Sequence, residues 1–352
     1  MTNIGLVIFE DIKSKGKDGY GKIKNLALKL SGKITGFLFN AGFFKSRTGT
    51  GLYFFSRRDA LKNGLSCHEL PENVKIWIIR FPFHSGILPN LDINYVAGYL
   101  ERLCTEQGIS DCLIPGPVRN RFPEGKFNCP HSGGKLLLES LLVPVLEEIY
   151  HRMSKRIGQL DIVIIAGNDA EEVFTIVRML EPHISFITIA AADRASLEGR
   201  LSELAADSGL SFSISSEFKN QLKHADLIIN LAKPQDISQY RMHKKSLLLN
   251  LHDSVESSIP GENTVVNNIV FTMAGTDIRD ILYELHGFYS RNELYDLLIT
   301  KQLSLDTCDK FTFQLAERIE HEFKKAGCRI TGFVGRRGSI SVEDAVRTIR
   351  CN

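Results

Sequence analysis

The sequence has no uncharged apolar stretch long enough to cross a bilayer, so we expect no membrane-spanning segment. The first strand-like run, residues 4–9, is too short and too promptly followed by Glu10 and Asp11 for a signal peptide, so we expect a cytoplasmic protein. The seven cysteines are scattered and form no CxxC pair, a pattern that fits neither a disulfide framework nor a structural zinc site. We therefore expect reduced thiols and no bound metal.

Charge of either sign is nearly balanced over the whole chain, at a formal net charge of +2, but it is unevenly distributed. Residues 1–50 carry nine Lys or Arg against three acids. The basic residues lack interleaved aromatic side chains of the kind that stack on single-stranded nucleic acid, so the composition favours a solvated lysine-rich face. Binding of a polyanion or nucleic acid through this basic amino-terminal segment is the alternative.

The length of 352 residues predicts two domains. The order of strand-like and helix-like stretches predicts a small α/β substrate domain, a linker helix, a Rossmann-like doubly wound parallel sheet, and a helical carboxyl-terminal extension that packs back on the first domain. The proposed bounds are 1–135, 136–157, 158–290 and 291–352. Oligomeric state is not encoded in any pattern we find.

The first domain is predicted from short apolar runs rich in β-branched and aromatic residues. Predicted strands cover 4–9, 34–39, 74–81 and 112–114, and predicted helices cover 26–30 and 94–107. A loop from Pro115 to Lys135 follows, with four prolines and four glycines. Pro144 is predicted to interrupt the linker helix.

The rest of the chain is organised around the stretch 160–193. Residues 160–166 form a continuous apolar run that ends at Gly167, as a buried parallel strand does. A helix capped by Asp169 and a second buried strand, residues 184–190, follow. Strand, glycine turn, helix and strand in this order are typical of a dinucleotide-binding βαβ unit, in which residues 160–166 are the central strand.

Further alternation of strands and helices extends the predicted sheet. A helix that ends at Gly209 is followed by predicted strands at residues 210–214, 225–230, 246–251 and 268–274. We expect the strand at 160–166 to lie between the strands at 184–190 and 225–230.

The glycine turn departs from the dinucleotide fingerprint. The first glycine is present as Gly167, but Asp169 and Glu172 stand where the other two glycines are expected. Acidic side chains at a helix start stabilise the helix but repel a phosphate. A Rossmann domain that has lost its phosphate contact therefore remains as open as a cofactor-binding one.

The second strand ends at Asp193 and Arg194. An acid at this place accepts hydrogen bonds from an adenosine ribose, and an adjacent arginine can pair with a 2′-phosphate. Asp193 could equally cap the helix that follows. This pair leads us to expect NAD or NADP, with the Gly167-Asn168 backbone near the pyrophosphate.

The segment 225–232, with the sequence ADLIINLA, resembles the fourth Rossmann strand and the following loop of shikimate dehydrogenases and glutamyl-tRNA reductases. The order of a smaller α/β domain, a linker helix and a Rossmann half is also similar to theirs. The resemblance covers residues 136–290, and it implies that Asn230 and Ala232 lie near the cofactor. The first domain has no counterpart of the catalytic residues of those families.

Candidate catalytic residues come from the loop, where His131 and Lys135 flank a Ser-Gly-Gly sequence. Backbone N–H groups and a lysine before a helix can hold an anion, although the spacing is not that of a P-loop. A solvated loop is the alternative reading. Other polar candidates are Arg80, His84, Arg119, Arg121, Lys126, Cys129, His252 and Asp253.

These observations predict an NAD(P)-binding oxidoreductase that acts on a small molecule in a cleft between the domains. The acidic helix start keeps a second hypothesis open, a Rossmann-fold binding or regulatory protein without redox activity. No pattern in the sequence identifies the substrate.

Overall fold

The computed structural model divides the chain into two compact units: unit 1 comprises Met1–His131 with Thr276–Tyr289, and unit 2 comprises Ser132–Gly275 with Ser290–Asn352. Within the ranges described below, no helix combines the length and apolarity that a bilayer crossing needs. The structure describes residues 2–9, 43–48, 51–56, 65–70, 74–81, 93–115, 122, 135–216, 219–233, 241–252, 263–272, 285, 289, 292–294, 296, 311–336 and 338–351.

Unit 1 contains a four-stranded mixed sheet in the order β4-β5-β1-β6, a separate β2-β3 hairpin and one described helix. Its elements are β1 (Thr2–Phe9), β2 (Phe43–Thr48), β3 (Gly51–Ser56), β4 (Leu65–Leu70), β5 (Val74–Phe81), α1 (Ile93–Gln107) and β6 (Asp111–Leu113). The predictions of β1, β5, α1 and β6 are confirmed, whereas β2, β3 and β4 were not predicted. The strand predicted at 34–39 and the helix predicted at 26–30 lie outside the described residues.

The core of unit 1 forms because α1 packs an apolar face against the sheet. Val96 and Leu100 on α1 are fully buried in one cluster with Val7 of β1 and Phe81 of β5. The hydroxyl oxygen of Tyr289 lies 2.7 Å from the Val7 carbonyl oxygen and 2.6 Å from that of Leu113. Tyr289 is thus tied to this sheet despite its distance along the chain.

Unit 2 contains a six-stranded sheet with helices, followed by a smaller sheet. Its elements are α2 (Lys135–Ser140), α3 (Leu142–Arg152), β7 (Ile162–Ile165), α4 (Ala170–Leu180), β8 (Phe186–Ala190), α5 (Ala195–Ser208), β9 (Ser211–Ser215), β10 (Leu227–Asn230), β11 (Leu247–Asn250), β12 (Thr264–Val266), β13 (Asn268–Thr272), α6 (Phe313–Lys325), β14 (Arg329–Gly335), β15 (Gly338–Ser341) and α7 (Val342–Cys351). Short 3₁₀ turns occupy Ile157–Gln159, Glu181–His183 and Gln221–Lys223.

The six-stranded sheet has the order β12-β11-β10-β7-β8-β9, and each adjacent pair is parallel. Numbered along the chain, this is the 3-2-1-4-5-6 order of the doubly wound Rossmann fold. The predicted fold class is therefore confirmed, and so is the central position of β7 between β8 and β10.

The strand β7 is buried on both faces, which explains its uninterrupted apolar sequence. Ile162 and Ile164 point into the larger core cluster, which also contains Val173 and Ile176 of α4. Val163 and Ile165 point into a second cluster on the opposite face of the sheet. Successive side chains of a strand alternate between faces, so a strand covered on both sides must be apolar at every position.

The sixth strand of the sheet differs from the prediction. The strand predicted at 268–274 exists as β13, but it pairs antiparallel with β14 in a three-stranded sheet β13-β14-β15. The sixth parallel strand is instead β12, with three residues. A buried apolar run specifies a strand without specifying its partner, and this is the reason for the error.

The linker helix is interrupted, as predicted, but the break lies at Leu141, three residues before Pro144. The helix α2 ends at Ser140 and α3 begins at Leu142, which places Pro144 in the first turn of α3. Backbone N–H groups in a first helical turn have no intrahelical acceptor, so proline is tolerated there.

The carboxyl-terminal segment was expected to be helical and to pack on the first domain. Its described residues form α6, β14, β15 and α7, and they contribute Leu315, Ile319, Phe333 and Val346 to the main core cluster of unit 2. The segment therefore completes the core of the parallel-sheet unit, because its apolar faces cover helices of that unit.

Candidate functional site at the carboxyl edge of the parallel sheet

The parallel strands of unit 2 all end at one edge of the sheet, which we call the carboxyl edge. The strand order reverses between β7 and β10, so the connections that follow these two strands leave in opposite directions. Ligands of open α/β sheets bind at this reversal point, outside the carboxyl ends of the strands. The loops that begin at Ala166 and Leu231 border it.

Gly167 lies where these two loops meet. A Cβ atom on Gly167 would lie 2.5 Å from the backbone oxygen of Leu231, far closer than a carbon atom can approach. The backbone N–H of Leu231 also donates to the Ile165 carbonyl at 2.9 Å. The close packing of the two loops is by itself enough to explain why residue 167 is glycine.

The start of α4 is capped by its own acidic residues. An Asp169 carboxylate oxygen accepts a hydrogen bond from the Glu171 backbone N–H at 2.9 Å, which confirms the predicted cap. The Glu171 carboxylate pairs with both terminal nitrogens of Arg200, and the Arg200 guanidinium lies 4.0 Å from the centre of the Phe174 ring. The hydrogen bond to Glu171 raises the pKa of Arg200 above its ordinary value.

Asp193 and Arg194 follow β8, and both side chains are exposed. An Asp193 carboxylate oxygen accepts from the Ser196 backbone N–H at 3.3 Å, so Asp193 contributes to the start of α5. Arg194 donates two hydrogen bonds to Glu198, one turn later, and this hydrogen bonding raises the pKa of Arg194 above its ordinary value. The capping alternative considered for Asp193 is present in the structure.

Asn230 is the last residue of β10 and is fully buried. Its side-chain nitrogen donates to the Ala232 carbonyl at 2.9 Å, and its side-chain oxygen accepts from the Ala232 N–H at 3.1 Å. Both polar atoms of one amide thus hold both backbone groups of Ala232. This arrangement fixes the loop that follows β10 at the reversal point.

The Asn230 amide begins a row of hydrogen-bonded amides along the carboxyl edge, of which Asn230 and Asn250 are buried and Asn267 is half-buried. The Asn230 nitrogen also donates to the Asn250 side-chain oxygen at 2.9 Å, and the Asn250 nitrogen donates to the Asn267 side-chain oxygen at 3.0 Å. We call these three residues the asparagine row. Sequence analysis missed the row, although the repeated strand ending was visible: LIIN at 227–230, LLLN at 247–250 and TVVN at 264–267.

Lys135, a candidate catalytic residue, is the first residue of α2 and is only 6% exposed. Its ammonium group donates to the backbone carbonyls of Asn250 and of Asn267, the latter at 3.1 Å. The structure therefore brings Lys135 to the asparagine row, where it ties α2 to the ends of β11 and β12. Cationic hydrogen bonds to carbonyls offset part of the cost of burying the charge.

The remaining candidates are dispersed or not described. His252 follows β11 at the carboxyl edge and is half-buried, and Arg80 is exposed on β5 of unit 1. The candidates outside the described residues are His84, Arg119, Arg121, Lys126, Cys129, His131 and Asp253. Over the part of the chain that is described, no three His, Cys, Asp or Glu side chains are grouped as metal ligands would be.

No protein-family model and no curated protein sequence matches the chain. Among solved structures, L-tryptophan dehydrogenase from Nostoc punctiforme aligns over 99% of this chain and 87% of its own, with 12% identity and a TM-score of 0.32. The NAD-dependent malic enzyme from Thermotoga maritima aligns over 75% and 65%, with 15% identity and a TM-score of 0.26. The 5-ketofructose reductase of Gluconobacter sp. strain CHM43 aligns over 92% and 99%, with 10% identity and a TM-score of 0.27. The strand order of unit 2 is what identifies the fold.

Proposed function

We propose that unit 2 binds NAD or NADP along the carboxyl edge and that the protein is an oxidoreductase acting on a small molecule. The observation that supports this proposal is the parallel strand order β12-β11-β10-β7-β8-β9, which creates a reversal point next to Gly167 and Leu231. That edge is where sheets of this order bind dinucleotides.

The side chains at the carboxyl edge fit the adenosine half of the cofactor. Asp193 is exposed at the end of β8, where a carboxylate can accept hydrogen bonds from ribose hydroxyls, and Arg194 beside it can meet a 2′-phosphate. In this proposal the pyrophosphate approaches the Gly167-Asn168 backbone. The distal half passes Asn230 and Ala232, whose mutual hydrogen bonds hold the loop in place.

The start of α4 fits the pyrophosphate less well. The Asp169 carboxylate already accepts the Glu171 N–H, so it occupies with negative charge the place where helix N–H groups would meet a phosphate. The pairing of Glu171 with Arg200 removes part of the opposing charge. Binding is therefore expected to be weak unless Asp169 is replaced.

When bound, the nicotinamide ring would accept or donate a hydride. In this proposal the protein holds the edge of the binding site in position. Lys135 orders the ends of β11 and β12, and the asparagine row fixes the loop that follows β10. His131 and Lys135 are the proposed catalytic residues. The proposed substrate class is a small polar molecule, such as a carbonyl compound or an alcohol, that can accept or donate a hydride.

Calorimetric titration with NADH and NADPH tests the proposal. We expect Asp193→Ala to weaken binding by about 1.5 to 3 kcal/mol through loss of charge-assisted hydrogen bonds. Asp169→Gly should leave binding unchanged or improve it, and it should cost α4 about 1 kcal/mol or less of cap stability. Arg194→Gln should weaken NADPH more than NADH if the 2′-phosphate is recognised.

Two matched variants separate ribose binding from helix capping. Asp193→Asn keeps an oxygen for the Ser196 N–H but removes the charge, so it should preserve the helix and still weaken the nucleotide. Asp207→Ala removes an exposed acid at the far end of α5 and should change neither property. No heat from the parent protein at millimolar nucleotide would reject the cofactor proposal.

The capped helix start favours a second candidate, a Rossmann-fold binding or regulatory protein without redox activity. In that case reduced cofactor remains unoxidised in the presence of carbonyl compounds. The absorbance of reduced nicotinamide distinguishes the two. The third hypothesis, a polyanion on the basic amino-terminal segment, concerns residues largely outside those described, and steep salt dependence of oligonucleotide binding would support it.

A further inference from the structure

A separate cleft of about 910 Å³ opens in unit 2 at the opposite end of the parallel strands. Its lining includes Ile157 and Gly158, which precede β7, and His183, which precedes β8. These residues place the cleft at the amino edge, whereas the proposed cofactor site is at the carboxyl edge. A molecule in this cleft would not compete with a dinucleotide.

The cleft has an apolar floor and a cationic rim. Leu141, Phe323 and Ile330 contribute apolar surface. Five cationic side chains and two carboxylates also line it. The cations are Arg152, Lys155, Arg156, Lys324 and Arg329, and the acids are Glu147 and Glu148.

Three of the five cations are already paired. Arg152 pairs with Glu148 at 2.7 Å and with Glu343, Lys155 lies 3.5 Å from an Asp226 carboxylate oxygen, and Lys324 pairs with Glu320 at 2.5 Å. These are the cleft cations for which the described residues supply an acidic partner.

Arg156 and Arg329 differ from those three. Both are exposed, both line the cleft, and neither has an acidic group within 4.0 Å among the described residues. A guanidinium group presents a planar fork of donors that matches phosphate geometry in a bidentate manner. Two such groups beside one apolar floor form a recognition surface for a molecule with an anionic head and an apolar body.

We infer that this cleft binds a small organic phosphate, with its phosphate held by Arg156 and Arg329 and its apolar part on Phe323 and Ile330. The two guanidinium groups that lack an acidic partner among the described residues suit the dianion of a phosphate monoester better than a singly charged carboxylate. The volume lies within the range of small-molecule pockets.

A nucleic acid fits the cleft less well. Single-strand binders present exposed aromatic faces on which bases stack. Two exposed histidines, His151 and His183, line the cleft, but its larger aromatic side chains, Tyr150 and Phe323, are only 2% and 4% exposed. They can form an apolar floor but not a stacking platform.

Calorimetric titration of the full chain with 1-naphthyl phosphate tests this inference. We expect binding that Arg156→Gln and Arg329→Gln each weaken about tenfold, the loss of one charge-assisted contact. Lys325→Gln is the matched control, because Lys325 is exposed on α6, pairs with Glu322 and does not line the cleft. Inorganic phosphate and 1-naphthol, which carry only the head or only the body, should bind more weakly than 1-naphthyl phosphate.

Circular dichroism of each variant establishes that the fold is retained, as expected for exposed arginines. Three results would overturn the inference: no binding of 1-naphthyl phosphate by the parent protein, equal weakening by Lys325→Gln, or 1-naphthol binding as tightly as its phosphate. Tighter binding of a single-stranded oligonucleotide, lost in the same arginine variants, would replace the small molecule by nucleic acid. Binding of NADH is measured in parallel, and its absence would not affect the inference, which concerns a different edge.

Discussion

The two edges of the parallel sheet in unit 2 use polar groups in opposite ways. At the carboxyl edge, Asn230, Asn250 and Lys135 are buried and bonded to one another or to backbone carbonyls. At the amino edge, Arg156 and Arg329 are exposed and project into a cleft. The three buried groups are bonded within the folded structure itself, whereas the two arginines are available to a ligand.

This difference predicts where substitutions cost stability and where they cost binding. A buried amide that loses its partner has no water to replace it, so the free energy of unfolding falls by the desolvation penalty of each group left unpaired. An exposed arginine is solvated whether or not a ligand is present. Substitutions in the asparagine row should therefore destabilise unit 2, and those of Arg156 or Arg329 should change binding alone.

The largest effect is expected for Asn250→Ala. The variant removes one acceptor from the Asn230 side-chain nitrogen and one donor from the Asn267 side-chain oxygen, so it should destabilise unit 2 by about 3 kcal/mol. Hydrogen exchange of peptides from β10 and β11 measures the loss locally. Asn220→Ala, at an exposed asparagine, should change stability by less than about 0.5 kcal/mol. Equal protection in the two variants would show that the asparagine row contributes no stability.

A smaller effect is expected for Gly167→Ala. The added methyl group meets the Leu231 backbone oxygen at 2.5 Å, and since backbone cannot turn away as a side chain can, the two loops must separate at a cost of about 1 to 3 kcal/mol. Gly199→Ala is the matched control, because nothing lies within 4 Å of the added atom in α5. It should stabilise the helix by about 0.5 to 1 kcal/mol. Thermal unfolding followed by circular dichroism gives the sign of the stability change in each variant. Destabilisation by both substitutions would contradict the argument that the space around each added methyl group decides the outcome.

The carboxyl edge also shows how far the sequence predicts this molecule. The central place of β7 could be predicted, because a strand covered on both faces must be apolar throughout. The three-residue β12 could not, since so short a segment carries no period. Lys135 was identified from its position before a helix, but its contacts with Asn250 and Asn267 depend on residues more than a hundred positions away. Side chains that meet only through the tertiary fold leave no local pattern.

The smallest effect at neutral pH is expected for Tyr150→Phe, which sharpens the comparison at the amino edge. Tyr150 is 2% exposed and its hydroxyl donates to the Asp226 carbonyl at 3.3 Å. The same carbonyl accepts the Leu247 N–H at 2.9 Å, so it stays bonded in the variant, and the cost should be about 1 kcal/mol or less.

The Tyr150 phenol should affect the free energy of unfolding more strongly at alkaline pH. Burial, with the nearby Asp226 charge as the lesser cause, raises the pKa of Tyr150 above its ordinary value of 10.0. Below pH 10 the phenol is protonated in both the folded and the unfolded chain, and its contribution is fully present. Above pH 10 only the unfolded chain loses the proton, so stability is lost as pH rises, by about 1.4 kcal/mol per pH unit. Guanidinium unfolding of the parent and of Tyr150→Phe between pH 9 and about pH 11 isolates this group, since all other titrating groups are common to both. The parent should lose stability more steeply, and parallel slopes would mean that the Tyr150 phenol titrates in the folded protein as it does in water.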